Sequence, residues 1–274
     1  MAIDKAVDST ALDSALTDIA DSIRAKTGKT DPLTLEQMPS EIEGISGGGS
    51  SEVDENWKYA TKISFANATL TDTFEVTLPD AQKDLSHMFD LASVKHITIH
   101  SAGKPTSLAG AFLRNGNLYT VTLDFDTSGV TTFQNCFSLG IGAWGANFTA
   151  INGVLDFTSV TTTNRVNGMF GATNNLKDVT FAANTLGVGF NASAIPNIND
   201  TSLLSLLNCL KDRTGEDALT LTVASAWKTA DTGRLYVSYA KLDADTGLYV
   251  LCEQTDEGAM TMADAITAKN WTIA

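Results

Sequence analysis

One sequence pattern recurs along the middle of the chain and constrains the fold more than any other feature. The units begin at DLSHMFD, SLAGAFL, TTFQNCF and NRVNGMF, and their phenylalanines lie 23, 25 and 33 residues apart. The insertion GIGAWGANFTAIN lengthens the third spacing. A single unit is too small to bury its own apolar side chains, whereas stacked units bury a continuous core. We therefore predict a solenoid with equivalent core positions at Phe89, Phe112, Phe137 and Phe170.

Each unit ends in a short segment of alternating apolar and polar residues, which is typical of a strand with one buried face. Two further strands are predicted before the repeats, over 58–66 and 70–78, joined around Asn67. The strands that end the repeats are predicted over 97–99, 121–125, 155–157 and 179–181.

The sequence after the repeats predicts a cap, which a solenoid needs to cover its open core. Residues 201–213 have the spacing of an amphipathic helix ending near Gly215. A last turn of solenoid is expected at 219–223, and RLYVSYAKL and LYVLCE, joined by DADTG, predict a hairpin. A final helix is predicted over 260–269.

The N-terminal residues have a different composition and predict a separate helical docking segment. Leu12, Leu16, Ile19 and Ile23 recur at helical spacing and form one apolar stripe. Such a stripe must pack on the rest of the chain, on copies of itself or on a partner. The Gly/Ser-rich sequence that follows predicts a linker. The predicted organisation is 1–46 docking segment, 47–56 linker, 57–200 solenoid and 201–274 C-terminal turn and cap.

Composition excludes several classes of partner. The formal net charge is -14, which argues against nucleic acid and against anionic membrane surfaces. The start of the sequence has no basic and apolar signal pattern, and no apolar run approaches the length of a membrane span. Three cysteines without a C-x-x-C pair predict no zinc or redox motif and fit folding in a reducing cytoplasm. We expect no cofactor and no metal.

Four motifs that resemble ligand sites fail in their sequence context. G-x-G-x-x-G over 140–145 is not followed by a predicted helix, so a dinucleotide fingerprint is not expected. Gly28-Lys29-Thr30 lacks the phosphate loop's first glycine, because that position is Ile23. The calcium-like segment at 243–254 ends in glutamine where an acid is required, and a hairpin turn explains it. His96 and His100 share a strand face at too great a separation for one metal ion.

No catalytic set can be assembled from these residues, so we predict a protein that binds rather than catalyses. Its three histidines offer no pairing with a nucleophile that spacing supports. Trp144 is the candidate partner contact, because it lies in a glycine-rich insertion and insertions of solenoids often form the binding face.

Two stretches resemble known families. LDSALTDIADSIRAKTGKTDPLTLEQMPSEIEGI, residues 12–45, resembles a recurrent N-terminal segment of tail and baseplate proteins from Firmicutes phages and prophages, with the pattern LTxIADAIRxKTGKTDxLTLxQMPxEI. The units LDFDTSGVTTFQNCF and LDFTSVTTTNRVNGMF, within 85–223, are similar to BspA-like leucine-rich repeats of bacterial surface proteins, where LDxSxxDTSxVTxMxxMF is typical. SLLSLLNCLKDRTGEDALTLTV and AKNWTI look like the C-terminal cap of phage-encoded members. The sequence departs from these patterns at 139–154 and 226–258, where insertions are expected.

The resemblance implies a fold that is mainly β with short helices: a leucine-rich-repeat-like β-solenoid with a helical N-terminal segment and a C-terminal α/β cap. It implies a bacteriophage virion protein of the tail fibre, tail tip or baseplate, made in the host cytoplasm without a signal peptide. The implied partners are other tail or baseplate subunits and a host cell-surface polysaccharide or protein. A homotrimer is expected, and no catalytic residue is transferred.

Three alternatives remain open. The first is a capsid decoration or head-fibre protein, which has the same physical character. The second is a bacterial surface adhesin of prophage origin, which should carry a signal peptide or an anchoring sequence. The third is an enzyme, a polysaccharide depolymerase, which would need paired carboxylates along a groove.

Overall fold

The chain divides into two compact units, residues 1–53 and residues 54–274. The computed structural model describes residues 16–17, 19–21, 23–24, 34, 63–140, 145–229 and 232–274. In the first unit the described residues between 16 and 24 are helical, and the rest of the predicted docking helix lies outside them, as does the predicted linker 47–56. Among the described residues, the strands lie in the second unit.

The second unit is built around a five-stranded parallel sheet, here called the main sheet. Its five strands lie side by side in chain order, and consecutive strands are joined by one turn of the solenoid. Apolar residues alternate with polar ones along these strands, so one face of the sheet is buried and the other is exposed. The bounds are β1 Thr73–Leu78, β2 His96–Ser101, β3 Thr120–Asp124, β5 Ala150–Leu155 and β7 Asp178–Phe181.

The prediction of a mainly β solenoid with short helices is therefore confirmed. The strands predicted over 97–99, 121–125 and 179–181 correspond to β2, β3 and β7. The strand predicted over 155–157 is placed too late, because it shares only Leu155 with β5. The predicted insertion 139–154 extends too far, because its last residues form most of β5. Gly153 forms an irregularity there with φ 111°, and a side chain at this position would meet Leu123 O. Only glycine tolerates both the positive φ and the close approach.

The opposite side of the solenoid is made of tight turns and two short parallel strands, β4 Phe137–Ser138 and β6 Phe170–Gly171. The residues two before and two after several of the repeat phenylalanines adopt left-handed backbone, as His87 and Leu91 do around Phe89. At Gly110, which takes the place of His87 one turn later, a Cβ would lie 2.7 Å from the His87 ring. A side chain at position 110 would therefore displace the His87 ring, and the positive φ of 61° favours glycine there as well.

Of the two strands predicted before the repeats, 70–78 is confirmed as β1, whereas the prediction of a strand over 58–66 is wrong for the residues that are described. Residues 63–66 form no strand, and β1 pairs in parallel with β2 rather than with the segment before it. Phe65 N donates to Met88 O in the next turn, and the Phe65 ring stacks on Phe89 at 5.2 Å. Burial against the next turn is incompatible with a local strand pairing, although Asn67 itself lies in a turn, with φ 60°.

Helix α1, Asp200–Cys209, follows β8, Phe190–Asn191, and covers the outer edge of β7. Asn199 caps it by accepting from Ser202 N. The Ser202 hydroxyl accepts from Val179 N at 3.0 Å and donates to Lys177 O at 3.1 Å. The Ser205 hydroxyl likewise accepts from Phe181 N at 2.7 Å and donates to Phe181 O at 3.1 Å. These hydroxyls satisfy edge groups that would otherwise bond another strand.

The C-terminal cap contains the predicted last turn as β9, Leu219–Thr222. This strand lies between β8 and the last strand of the chain, Trp271–Ile273, in a separate three-stranded sheet. The predicted hairpin is present as β10 Tyr239–Leu242 and β11 Tyr249–Cys252, with β12 Met260–Thr261 against β10.

The first residues of the predicted hairpin were predicted wrongly, because Arg234–Val237 is helical (α2) and buries Leu235. Arg234 bonds Ile198 O and Asp200, which draws this segment onto the end of α1. Helix α3, Met262–Ala268, and β13, Trp271–Ile273, end the chain.

Candidate functional site

Two of the residues predicted to contact partners lie outside the described residues, namely Leu12 and Trp144. Within the predicted apolar stripe, Ile23 is buried, Leu16 is partly buried and Ile19 is 48% exposed.

The four predicted core phenylalanines lie in one column inside the solenoid. Each is at most 6% exposed. Ring centroids are 5.7 Å apart for Phe89–Phe112, 5.3 Å for Phe112–Phe137 and 6.0 Å for Phe137–Phe170, and the planes of each pair are within 15° of parallel. Phe65 adds a fifth ring at the N-terminal end. The signal for Phe65 was its spacing of 24 residues from Phe89, which the strand interpretation of 58–66 hid.

His96 and His100 lie on the exposed face of the main sheet and are bonded to neighbouring turns, whereas His87 Nδ1 is 3.2 Å from Asp90 Oδ2 in its own turn. His100 Nδ1 is 2.6 Å from Asp124 on β3, and its Nε2 is 2.9 Å from Glu75 on β1. The two carboxylates therefore bind opposite sides of one imidazole. This geometry links three strands but does not direct several ligand atoms to one point. Within the described ranges, no group of three His, Cys, Asp or Glu residues could hold a metal ion.

Around His100, the exposed face of the main sheet carries charged, hydroxyl and amide side chains. Hydroxyl and amide side chains continue across it: Asn152 donates to Thr122 at 3.1 Å, and His96 is 2.9 Å from the Thr120 hydroxyl. Because these groups bond one another along the sheet, the face is a polar ladder that also stabilises the stacking of the turns.

A second polar feature is a small depression between the last turn of the repeats and the cap. Its volume is about 160 Å³. One wall is Thr163, at the start of a 3-10 turn, with Val166 and Asn167 after that turn. The floor is β8 with the glycine before it, and the opposite wall is Thr220 and Thr222 of β9. None of the lining residues is charged. They are Thr163, Val166, Asn167, Gly189, Phe190, Asn191, Thr220 and Thr222.

Sequence reasoning missed this depression. Thr163 and Thr220 are 57 residues apart and meet only because β8 pairs with β9 beside the 3-10 turn. The alternation in Leu219-Thr220-Leu221-Thr222 indicates that the threonines share a face, but it does not reveal what lies opposite them.

The thiols are in environments that suppress nucleophilic chemistry. Cys136 is fully buried, and burial raises the pKa of its thiol well above the ordinary value. Burial also raises the pKa of Cys209 to about 11. Cys252 is partly exposed, and desolvation is again the main cause of a raised pKa. Each thiol therefore stays protonated near neutral pH, whereas the thiolate is the reactive form.

Comparisons of the chain with family models, with curated proteins and with solved structures found no match. Among the residues that the structure describes, no helix combines the length and the apolar character that a membrane crossing needs. The candidate functional surfaces are therefore defined by geometry alone: the polar face around His100 and the uncharged depression beside β9.

Proposed function

We propose that this chain is a non-enzymatic structural protein of a phage virion, located in the tail fibre, tail tip or baseplate. Residues 1–46 attach it to the particle, and the solenoid is displayed for recognition of the host surface. One observation carries the proposal: the phage-tail-like sequence and the solenoid fall in different compact units, 1–53 and 54–274. A docking segment and a recognition domain can therefore act independently.

The chemistry of the second unit supports binding rather than catalysis. Its thiols are protonated, and Glu75 and Asp124 are both engaged by His100. Its polar surfaces are instead rich in threonine and asparagine, which recognise ligands by hydrogen bonding. Purified protein incubated with host cell-wall polysaccharide should release no reducing sugar, and release would support the depolymerase alternative.

The docking role is tested by deleting residues 1–46 and complementing a phage that lacks the gene. The truncated chain should remain soluble, keep its thermal melting transition and be absent from purified particles by mass spectrometry. The matched control deletes residues 47–50, which shortens the linker but keeps the docking segment, and this chain should still be incorporated.

Antibody labelling of wild-type particles then separates the related alternatives. Label at the tail supports the proposal, and label on the head supports the decoration or head-fibre alternative. Incorporation of the truncated chain at wild-type level would show that the docking assignment is wrong.

A further inference from the structure

The depression beside β9 has the geometry of a small binding site with unused hydrogen-bonding capacity. The hydroxyls of Thr163, Thr220 and Thr222 and the amide of Asn167 line it. In the part of the chain that the structure describes, none of these four side chains has a hydrogen-bond partner within the protein. Asn191 is different, because its Oδ1 accepts from Ser193 N. Polar groups from three separate segments thus converge on one opening with most of their donors and acceptors available.

The lining residues also favour a ligand without charge. Its polar groups are neutral hydroxyls and amides, and Val166 and Phe190 supply apolar wall. A charged ligand would lose hydration without gaining an ion pair, which is unfavourable. A ligand with several hydroxyls and an apolar ring face matches both kinds of wall. Hydroxyls pair with Thr and Asn side chains, and carbon-bound hydrogens pack on the apolar part.

Gly189 gives the depression its depth. A Cβ added there would lie 3.4 Å from Thr163 Oγ1 and 3.5 Å from Thr220 O, between the two walls. These are ordinary van der Waals distances, and Gly189 is not among the glycines with positive φ. The backbone therefore does not require glycine here. What glycine provides is open space between Thr163 and Thr220.

We infer that this depression is a subsite for one neutral sugar unit of a surface polysaccharide. The inference deepens the proposed recognition role and rests on it. The site is small and open to solvent, so a single free sugar should bind in the millimolar range. Useful attachment would come from several copies acting on one polymer.

The test uses the full-length purified chain and two-dimensional amide NMR, with glucose, galactose and N-acetylglucosamine as probes and glucuronate as the charged comparison. At least one neutral sugar should give saturable shifts at the backbone amides of Asn167, Asn191, Thr220 and Thr222. Glucuronate should bind more weakly than that sugar. No saturable shift with any neutral sugar, shifts confined elsewhere, or tighter binding of glucuronate would overturn the inference.

Two variants and one control make the test specific. Gly189→Ala fills the space between the walls and should weaken binding by about tenfold. Gly187→Ala, two residues earlier, faces the end of the Lys211 side chain outside the depression and should bind as the wild type does. If Gly189→Ala changes the fold, Thr220→Val removes a lining hydroxyl at nearly constant volume and should also weaken binding. Unchanged affinity in the folded variants would overturn the assignment. Particle incorporation does not enter this assay, so the docking proposal and the sugar-site inference can fail separately.

Discussion

At the scale of single residues, the cap depends on polar side chains that satisfy backbone groups in its interior. Lys269 is 9% exposed, and its Nζ donates to Leu210 O at 2.6 Å and to Leu207 O at 3.1 Å. Desolvation lowers the pKa of this lysine, yet its ammonium stands at the carbonyl end of α1, where positive charge is stabilising. Asn208 exchanges two hydrogen bonds with the Tyr249 backbone, at 2.8 and 2.7 Å. These contacts fix the hairpin to the helix.

The charge of His100 should affect the stability of the solenoid between pH 5.5 and pH 8.5. Its hydrogen bond to Asp124 is the largest cause that raises the imidazole pKa, and the bond to Glu75 adds to it. The pair of bonds joins β1, β2 and β3 on the exposed face. Protonated His100 donates from both ring nitrogens, whereas the neutral ring can donate from only one.

The sign of the pH effect follows from the raised pKa. The stabilisation provided by charged His100 is fully present below the pKa of the unfolded-state imidazole, about 6.5. It is lost as the pH rises through the higher pKa of the folded state. His100→Gln should therefore lower the melting temperature more at pH 5.5 than at pH 8.5. Asp124→Asn removes the main partner and should reduce the pH dependence of the wild type over this range. An equal effect of His100→Gln at both pH values would contradict the argument.

At the scale of elements, the phenylalanine column joins successive turns of the solenoid. Each ring packs on the ring of the next turn, so removing a central one opens a cavity in contact with two turns. Phe112→Ala should destabilise the protein by about 3–5 kcal/mol, as for other fully buried phenylalanines. Phe125 is only partly buried, and Phe125→Ala should cost clearly less. Urea denaturation measures both. A near-wild-type value for Phe112→Ala would contradict the role of the column.

The elements that could be predicted from sequence are those whose signal is local. Alternation identified β2, β3 and β7 because each strand buries one face whatever its neighbours are. It failed at β5, where the glycine irregularity at Gly153 interrupts the alternation. The errors at 58–66 and 234–237 arose where packing against distant residues decided the conformation, through Phe89 in the first case and Asp200 in the second. The depression could not be predicted, because its walls come from segments that meet only in the fold.

At the scale of the whole molecule, the C-terminal end of the solenoid is covered, because a stack of turns would otherwise expose its core and its last strand edge there. The Ser202 and Ser205 hydroxyls close the edge of β7, and the cap beyond them buries Trp227 and Trp271. The indole nitrogens of both tryptophans donate to backbone carbonyls, so neither buried ring leaves its donor unpaired. Growth by adding further turns is blocked at this end. Assembly into larger particles is therefore expected to use the N-terminal unit.

Self-association through that unit is the last prediction. An apolar stripe on a short helix is not stable alone in water, and Ile19 of the stripe is 48% exposed in the chain. Three copies could bury their stripes against one another, as the resemblance to tail proteins implies. Light scattering coupled to size-exclusion chromatography at micromolar concentration should give three times the chain mass. The chain without residues 1–46 should give the monomer mass, and Ile19→Asp should shift the full-length chain toward it. A monomer mass for the full-length chain, together with an absence of threefold symmetry on the particle, would contradict the prediction.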